Sequence, residues 1–396
     1  MKTLSILGST GSVGCSTLDV VAEVNQKSIA LGEAPQFEVV VLTAFNNAKC
    51  LIEQALKYRP KMVAIVDAQA GQEVKAALQN SGIEVGIGIE ALNAAAAIDS
   101  DMVMAAIVGA AGLFPTLIAV QRGAKILLAN KECLVSAGEL FVNSAKKYGA
   151  EIVPVDSEHN AIFQVMDGTN KVEKLILTAS GGPFRTLQAS DFANITPEQA
   201  CKHPNWEMGK KISVDSATMM NKGLELIEAA YLFNMPESMI DILIHPQSIV
   251  HSMVCYQDGS VLAQMGAPDM RIPIAYALAH PNRIAVATPR LDLTKIHDLQ
   301  FFAPDTLKFP ALDLARDSLK IGGSAPTLLN AANEVAVHTF LNRNVTFTQI
   351  SLIVEKSMEA ADKQGNLGKM ETIEEVMHYD KIGRQIATEI AQSLAK

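Results

Sequence analysis

Leu4-Ser-Ile-Leu-Gly-Ser-Thr-Gly-Ser-Val-Gly14 decides the fold. A short apolar run stops at three glycines spaced G-x-x-G-x-x-G, and a helical pattern, Ser16 to Val24, follows at once. Glycines let the backbone turn tightly. They also let an anion approach the amides of a helix N-terminus, where the dipole favours negative charge. The spacing is one residue longer than the commonest dinucleotide fingerprint. No Gly-Lys-Ser/Thr follows, so the P-loop of a nucleotide hydrolase is excluded. A ligand-free glycine turn reads the same way in isolation, so the surrounding pattern has to carry the assignment.

That pattern is an alternation of apolar runs with helical stretches over residues 1–150. The strand candidates are Leu4 to Leu7, Phe37 to Ala44, Lys61 to Val66, Met102 to Val108, Ile126 to Ala129 and Ile152 to Val155. Most are apolar on both faces, as in a parallel sheet covered by helices on both sides. Asn47 to Arg59 and Phe114 to Arg122 fit crossover helices. The expectation is an N-terminal doubly wound, Rossmann-like α/β domain that binds a dinucleotide. No Asp or Glu follows the second strand to meet ribose hydroxyls; the chain there reads Phe45-Asn46-Asn47, with Lys49 close by, which favours NADP over NAD.

From 151 to 280 the pattern becomes α+β. Lys174 to Ala179, Asp241 to Ile244, Ile249 to Tyr256 and Ser260 to Gln264 read as strands, with Asp258-Gly259 as a hairpin turn. Thr196-Pro-Glu-Gln199 carries a helix start, and Ser216 to Leu232 reads as one helix. Residues 281–305 form a proline-punctuated linker. Residues 306–396 carry the helical spacings Ala311 to Leu319, Ala325 to Leu341, Thr348 to Ala361 and Ile373 to Leu394, a bundle without catalytic signature.

The chain has 396 residues, is 49% hydrophobic and carries a net charge of −9. That size calls for two or three domains. The charge, without runs of like sign, argues against nucleic-acid and membrane surfaces. No apolar stretch is long enough to span a bilayer. The start lacks a signal peptide's apolar core. The five cysteines are scattered and unpaired in pattern, as in a cytoplasmic protein. The eight histidines show no zinc spacing, and no G-x-S-x-G elbow occurs.

The chemistry is expected at Val153-Pro-Val-Asp-Ser-Glu-His159. On a strand, Asp156 and Glu158 would share one face, and two such acids suit a hard divalent cation. An isolated D-x-E is more often a strand terminus running into a helix N-cap. Glu225 is the third carboxylate. On a helix it shares a face with Asn221 and Lys222, although an i, i+3 Lys–Glu pair is more often a surface contact. The turn Asn130-Lys131-Glu132 lies at a strand's C-terminal end. Ser180-Gly-Gly182 can present amides to an anion. His203-Pro-Asn-Trp206 and Met208-Gly209 read either as local packing or as a lid. A metal-free NADP oxidoreductase and a nucleotide-binding scaffold are the competing readings.

Together Gly8–Gly14, Leu128-Ala-Asn-Lys-Glu132, Val155-Asp-Ser-Glu-His-Asn160, Ser180-Gly-Gly-Pro-Phe184, His203-Pro-Asn-Trp206 and Lys211-Ile-Ser-Val-Asp-Ser-Ala-Thr-Met-Met-Asn-Lys-Gly-Leu-Glu225 resemble the 1-deoxy-D-xylulose 5-phosphate reductoisomerase family along essentially the whole chain. The resemblance implies a homodimeric enzyme of the non-mevalonate isoprenoid pathway that uses NADPH with Mg²⁺, Mn²⁺ or Co²⁺ on a small sugar phosphate. It implies that Asp156, Glu158 and Glu225 hold the metal. Lys131, Ser157, Ser180, His203, Ser216, Asn221 and Lys222 would grip the substrate. Thr10, Gly11, Ser12, Val13, Asn47, Asn130, Glu132 and Gly209 would contact NADPH, and Trp206 and Met208 would belong to a lid. Many members carry Gly-Lys-Asn where this chain has Phe45-Asn46-Asn47, and there the lysine meets the 2′-phosphate.

Overall fold

The computed structural model describes residues 1–206 and 209–395. The chain forms two compact units. One comprises Met1–Asn130, Asn143–Asn160 and Asp269–Pro289; the other comprises Lys131–Val142, Ala161–Pro268 and Arg290–Lys396.

In the first unit the strands are β1 (Lys2–Leu7), β2 (Phe37–Ala44), β3 (Met62–Ile65), β4 (Glu84–Ile87), β5 (Met102–Ala105), β6 (Lys125–Leu128) and β7 (Ile152–Pro154). They make one sheet in the order β4-β3-β2-β1-β5-β6-β7, parallel throughout. Leu4, Ile6, Leu7 and Val39 to Leu42 are all buried, and so is Ser5, so β1 and β2 are covered on both faces. The crossovers are α1 (Ser12–Ala30), α2 (Ala48–Tyr58), α3 (Ala68–Ala77), α4 (Ile89–Ala97) and α5 (Leu113–Gln121). Strand order reverses between β1 and β5, and a doubly wound sheet opens its ligand crevice at the C-terminal ends of such strands. The sequence pattern lacks β4, an edge strand that starts on exposed Glu84 and contains Gly86. Only its Val85/Ile87 face is apolar and none of its residues is fully buried, so it carries no buried-strand signal.

Helix α6 (Glu132–Tyr148) bends at Gly138, and α7 (Ser157–Val165) follows β7. Strand β7 stops at Pro154. Asp156 lies outside both elements, its carbonyl accepting from the Asn160 amide at 2.8 Å, and Glu158 sits in the first turn of α7. The two acids therefore do not share a strand face as the period-two reading expected. They flank a helix start, where the dipole favours carboxylates.

The second unit holds a four-stranded sheet of β8 (Val172–Ala179), β9 (Ile240–Ile244), β10 (Val250–Tyr256) and β11 (Val261–Met265), in the order β11-β10-β8-β9. The β10–β11 hairpin turns at Asp258-Gly259, as expected. Helix α8 (Pro197–Ala200) carries the Thr196/Gln199 capping box. The single helix expected over Ser216 to Leu232 is instead two, α9 (Lys210–Ala217) and α10 (Met220–Leu232), broken where Met219 takes a left-handed φ of 64°. Helix α11 (Arg271–Ala279) belongs to the first unit. The C-terminal helices α12 (Ala311–Ile321), α13 (Ala325–Leu341), α14 (Phe347–Lys363) and α15 (Ile373–Leu394) match their sequence spacing, and capping boxes at Thr346 and Thr372 start the last two. Phe184, Phe192 and Phe340 each pack edge to face against Phe347 in this unit's core. Among the described residues no helix is long and apolar enough to cross a membrane.

Gly8 is the position on which the first turn depends. Its φ is +87°, and an added Cβ would lie 2.7 Å from the Ala106 carbonyl oxygen. Gly8→Ala should lower stability by about 1–3 kcal/mol in thermal denaturation. Gly168→Ala, where a Cβ meets nothing within 4 Å, should leave it unchanged.

Candidate functional site

Each functional side chain is placed by the unit that carries it. In the first unit, Gly8 closes β1 and donates to Thr43 Oγ1 at 2.9 Å, while Gly11 donates back to the Gly8 carbonyl at 3.2 Å. Gln54 of α2 clamps the loop: it accepts from Ser9 Oγ at 2.7 Å and donates to the Ser9 carbonyl at 2.9 Å. Helix α1 then begins at Gly11 with no side-chain cap and no acid in its first turn. Gly11 and Ser12 are exposed, and Thr10 and Val13 are half-buried. An uncapped helix start behind a glycine turn is a seat for a pyrophosphate. Asn47 caps α2 by accepting from the Cys50 amide at 3.2 Å. Asn130 is buried after β6 and donates to the Ile107 and Gly109 carbonyls, binding the β5 and β6 loops together. These residues fit a dinucleotide.

Asp156, Ser157 and Glu158 form a second group in this unit. Ser157 Oγ donates to Glu158 Oε2 at 2.7 Å. Carboxylate and hydroxyl oxygens are the donor set of a hard cation.

In the second unit, Glu225 is the focus of a buried polar cluster on α10. Its carboxylate takes charge-assisted bonds from Lys222 Nζ and Asn221 Nδ2. Lys131 Nζ lies 3.5 Å from Glu225 Oε1 and donates to Asn221 Oδ1 at 3.0 Å. Glu225 is 1% exposed, Lys222 3% and Lys131 6%. The sequence offered a surface i, i+3 pair as the alternative for Lys222 and Glu225, and their burial rules that out.

The next residue along, Glu132, starts α6 and accepts from Lys211 Nζ at 3.0 Å. Burial opposes its charge, yet the Lys211 and Lys131 ammonium groups hold its carboxyl below the ordinary range. Lys211 is itself held well above the ordinary lysine value: burial works against the ammonium, but Asp215 and Glu132 outweigh it. Asp215 lies 3.0 Å from Lys211 and accepts from Asn333 Nδ2 at 2.8 Å. Sequence reading passed over Asp215 and Asn333. The i, i+4 spacing of Lys211 and Asp215 was visible; the partner on α13 was not.

A third group surrounds the loop after β8. His203 Nδ1 accepts the amides of Asn205 and Trp206 at 3.1 and 3.0 Å. In the neutral ring the proton therefore sits on Nε2, which donates to Ser180 Oγ at 3.0 Å. Ser180 Oγ also accepts from the Gly182 amide at 3.2 Å. With two bonds accepted, its own O–H is left to donate to a ligand oxygen. Gly182, at φ +69°, lies so close to α9 that a Cβ would meet the Ser216 carbonyl oxygen at 2.6 Å. Ser180, His203 and Ser216 are thus brought into one neighbourhood. Asn205 is tied to Pro246 and Ser248, and the Trp206 ring lies 6.1 Å from that of His251. Gly209 is the N-cap of α9. Met208, expected in a lid with Trp206, lies outside the described residues.

Three family models match the chain. That of 1-deoxy-D-xylulose 5-phosphate reductoisomerase covers residues 4–138, that of its C-terminal domain covers 152–233, and a DXP reductoisomerase C-terminal domain covers 265–386. A 1-deoxy-D-xylulose 5-phosphate reductoisomerase of Rhodospirillum centenum is 50% identical over 98% of this chain and 94% of its own. One from Chlorobaculum tepidum is 48% identical over 98% and 100%. The Zymomonas mobilis enzyme, solved in complex with NADPH, superposes with a TM-score of 0.90 at 45% identity, covering 99% of this chain and all of that one. A DOX-P reductoisomerase solved with NADPH, fosmidomycin and magnesium gives 0.92 at 41% identity, covering 100% and 99%. With family models over most of its length and relatives about half identical along nearly all of it, the chain belongs to the 1-deoxy-D-xylulose 5-phosphate reductoisomerase family.

Proposed function

We propose that this chain rearranges 1-deoxy-D-xylulose 5-phosphate to an aldehyde and reduces it with NADPH to 2-C-methyl-D-erythritol 4-phosphate, with the help of a divalent cation. The observation that carries this reading is the buried convergence of Lys131, Asn221 and Lys222 on Glu225. Ammonium, amide and carboxylate groups held away from solvent are matched to a ligand that is phosphorylated at one end and chelating at the other.

When bound, a divalent ion polarises the ketone and stabilises oxyanion charge during the carbon shift, and the dihydronicotinamide supplies the hydride. The chain's own residues bind and orient. Asp156, Glu158 and Glu225 supply hard oxygen donors for Mg²⁺, Mn²⁺ or Co²⁺. Lys131 and Ser157 meet the sugar backbone. Ser180, with its hydroxyl proton directed outward by His203 and Gly182, joins Ser216, Asn221 and Lys222 at the phosphate. Thr10 to Val13, Asn47, Asn130, Glu132 and Gly209 seat NADPH, and Trp206 with Met208 excludes water. In functional terms residues 1–150 bind the cofactor and 151–280 hold the chemistry. Residues 281–305 are the linker and 306–396 support the site.

The enzyme acts as a cytoplasmic homodimer. In support, β11 is an edge strand that exposes Val261, Leu262 and Met265, an apolar edge that pairing with a second copy would cover.

Glu225→Gln should keep the fold and NADPH affinity but lower kcat by about a hundredfold or more; near-normal turnover would remove Glu225 from the site. Following NADPH absorbance with 1-deoxy-D-xylulose 5-phosphate, chelator should stop turnover and added Mg²⁺, Mn²⁺ or Co²⁺ restore it. Full activity of an exhaustively stripped sample contradicts the metal role. Asn46→Lys should tighten NADPH about tenfold through the 2′-phosphate and leave NADH unchanged, as read by cofactor fluorescence titration.

A further inference from the structure

The C-terminal helices carry no catalytic signature, yet one of their side chains ends a charged chain that starts beside the reacting groups. Glu132 and Asp215 are buried and Lys211 is half-buried between them, one ammonium serving both carboxylates at 3.0 Å each. A cation shared equally between two anions has two positions available to it. The structure removes that freedom at one end only. Asn333 Nδ2 donates to Asp215 Oδ1 at 2.8 Å from α13, and so fixes the Asp215 carboxylate. Asn333 is fully buried, and its Oδ1 has no hydrogen-bond partner among the described residues. A buried amide that leaves its acceptor unused is poorly explained by its own stability. What it contributes is the donor aimed at Asp215.

We propose that Asp215 and Asn333 are positioning residues that act through Lys211 to fix the Glu132 carboxylate for the cofactor. The proposal rests on the function given above, in which Glu132 meets NADPH. Asn333 holds Asp215, Asp215 places the Lys211 ammonium, and the ammonium places Glu132. Lys131, next in the chain, is held separately by Asn221 and Glu225. Asp215 adjoins Ser216 on α9, whereas Asn333, among the described residues, touches none of the groups assigned to the sugar phosphate, so it is the loss of Asn333 that acts on the cofactor and spares the sugar phosphate. A buried ion pair with a purely structural role would instead change stability without changing cofactor affinity.

The test is a double-mutant cycle in the full chain with Asn333→Ala, Asp215→Asn and the pair. NADPH affinity is read by fluorescence titration, both KM values by steady-state kinetics, and melting temperature in parallel. Each single variant should weaken NADPH about tenfold and raise KM for NADPH similarly, and Asn333→Ala should leave KM for the sugar phosphate within about twofold. The double variant should be no worse than the worse single one, as coupled neighbours require. If Asp215→Asn does not fold, Asn333→Ala alone carries the test, because it leaves every charge in place. A lowered melting temperature with unchanged NADPH affinity overturns the positioning role, and so do strictly additive effects. A wild-type chain that binds no NADPH overturns the function on which the proposal stands, a result distinct from either of these.

Discussion

The rest of the second unit is arranged around one carboxylate held out of water among cationic and amide partners. Glu225 is 1% exposed, and an isolated buried carboxylate is driven to take up a proton. Lys222 and Asn221 answer it from its own helix, one turn away, and Lys131 answers it from outside that helix. Removing one member of such a group is far more damaging than never having built it, because the remaining charges stay buried. The cluster therefore constrains α10 and the start of α6 together, and the apolar faces around it pack to that arrangement.

Consecutive residues divide the labour. Lys131 reaches α10, while Glu132 reaches Lys211 on α9. A continuous helix from Lys210 to Leu232 could not meet both with independent geometry. The left-handed residue Met219 breaks it, and each half is then tied down on its own. Gly182 packs against the Ser216 carbonyl at the end of the first half, bringing the Ser180 loop to the same break. A left-handed, non-glycine residue is a strained choice. Its consequence here is that three polar groups from distant parts of the sequence reach one neighbourhood.

The parallel sheet was legible wherever a strand is covered on both faces, as in β1 and β2, and illegible at β4, where solvent reaches the edge. The C-terminal helices were legible because α12, α14 and α15 each bury one stripe, while α13 is apolar enough to be buried most of the way round. Asp156 and Glu158 were recognised as a pair for a reason that did not hold: proline ends the strand at Pro154, and the acids belong to a helix start. Glu225, Lys222 and Asn221 could be grouped because helical spacing is local. The Asp215–Asn333 contact could not be, since it joins α9 to α13 across 118 residues of sequence. No local period reports a partner at that separation.

The chain carries a net charge of −9 and yet handles anions, and it does so by spending few cations. At the glycine loop the anion seat is backbone: an uncapped helix start, held by Gln54, with no acid in its first turn to repel a phosphate. In the proposed site Ser180 offers a hydroxyl held between the His203 ring and the Gly182 amide. Among the described residues, the ammonium groups of these clusters are those of Lys131, Lys222 and Lys211, each set against a carboxylate, the first two buried and the third half-buried. Charges placed so are fixed in position before any ligand arrives, and the low polarity around them makes each one act more strongly than it would at the surface.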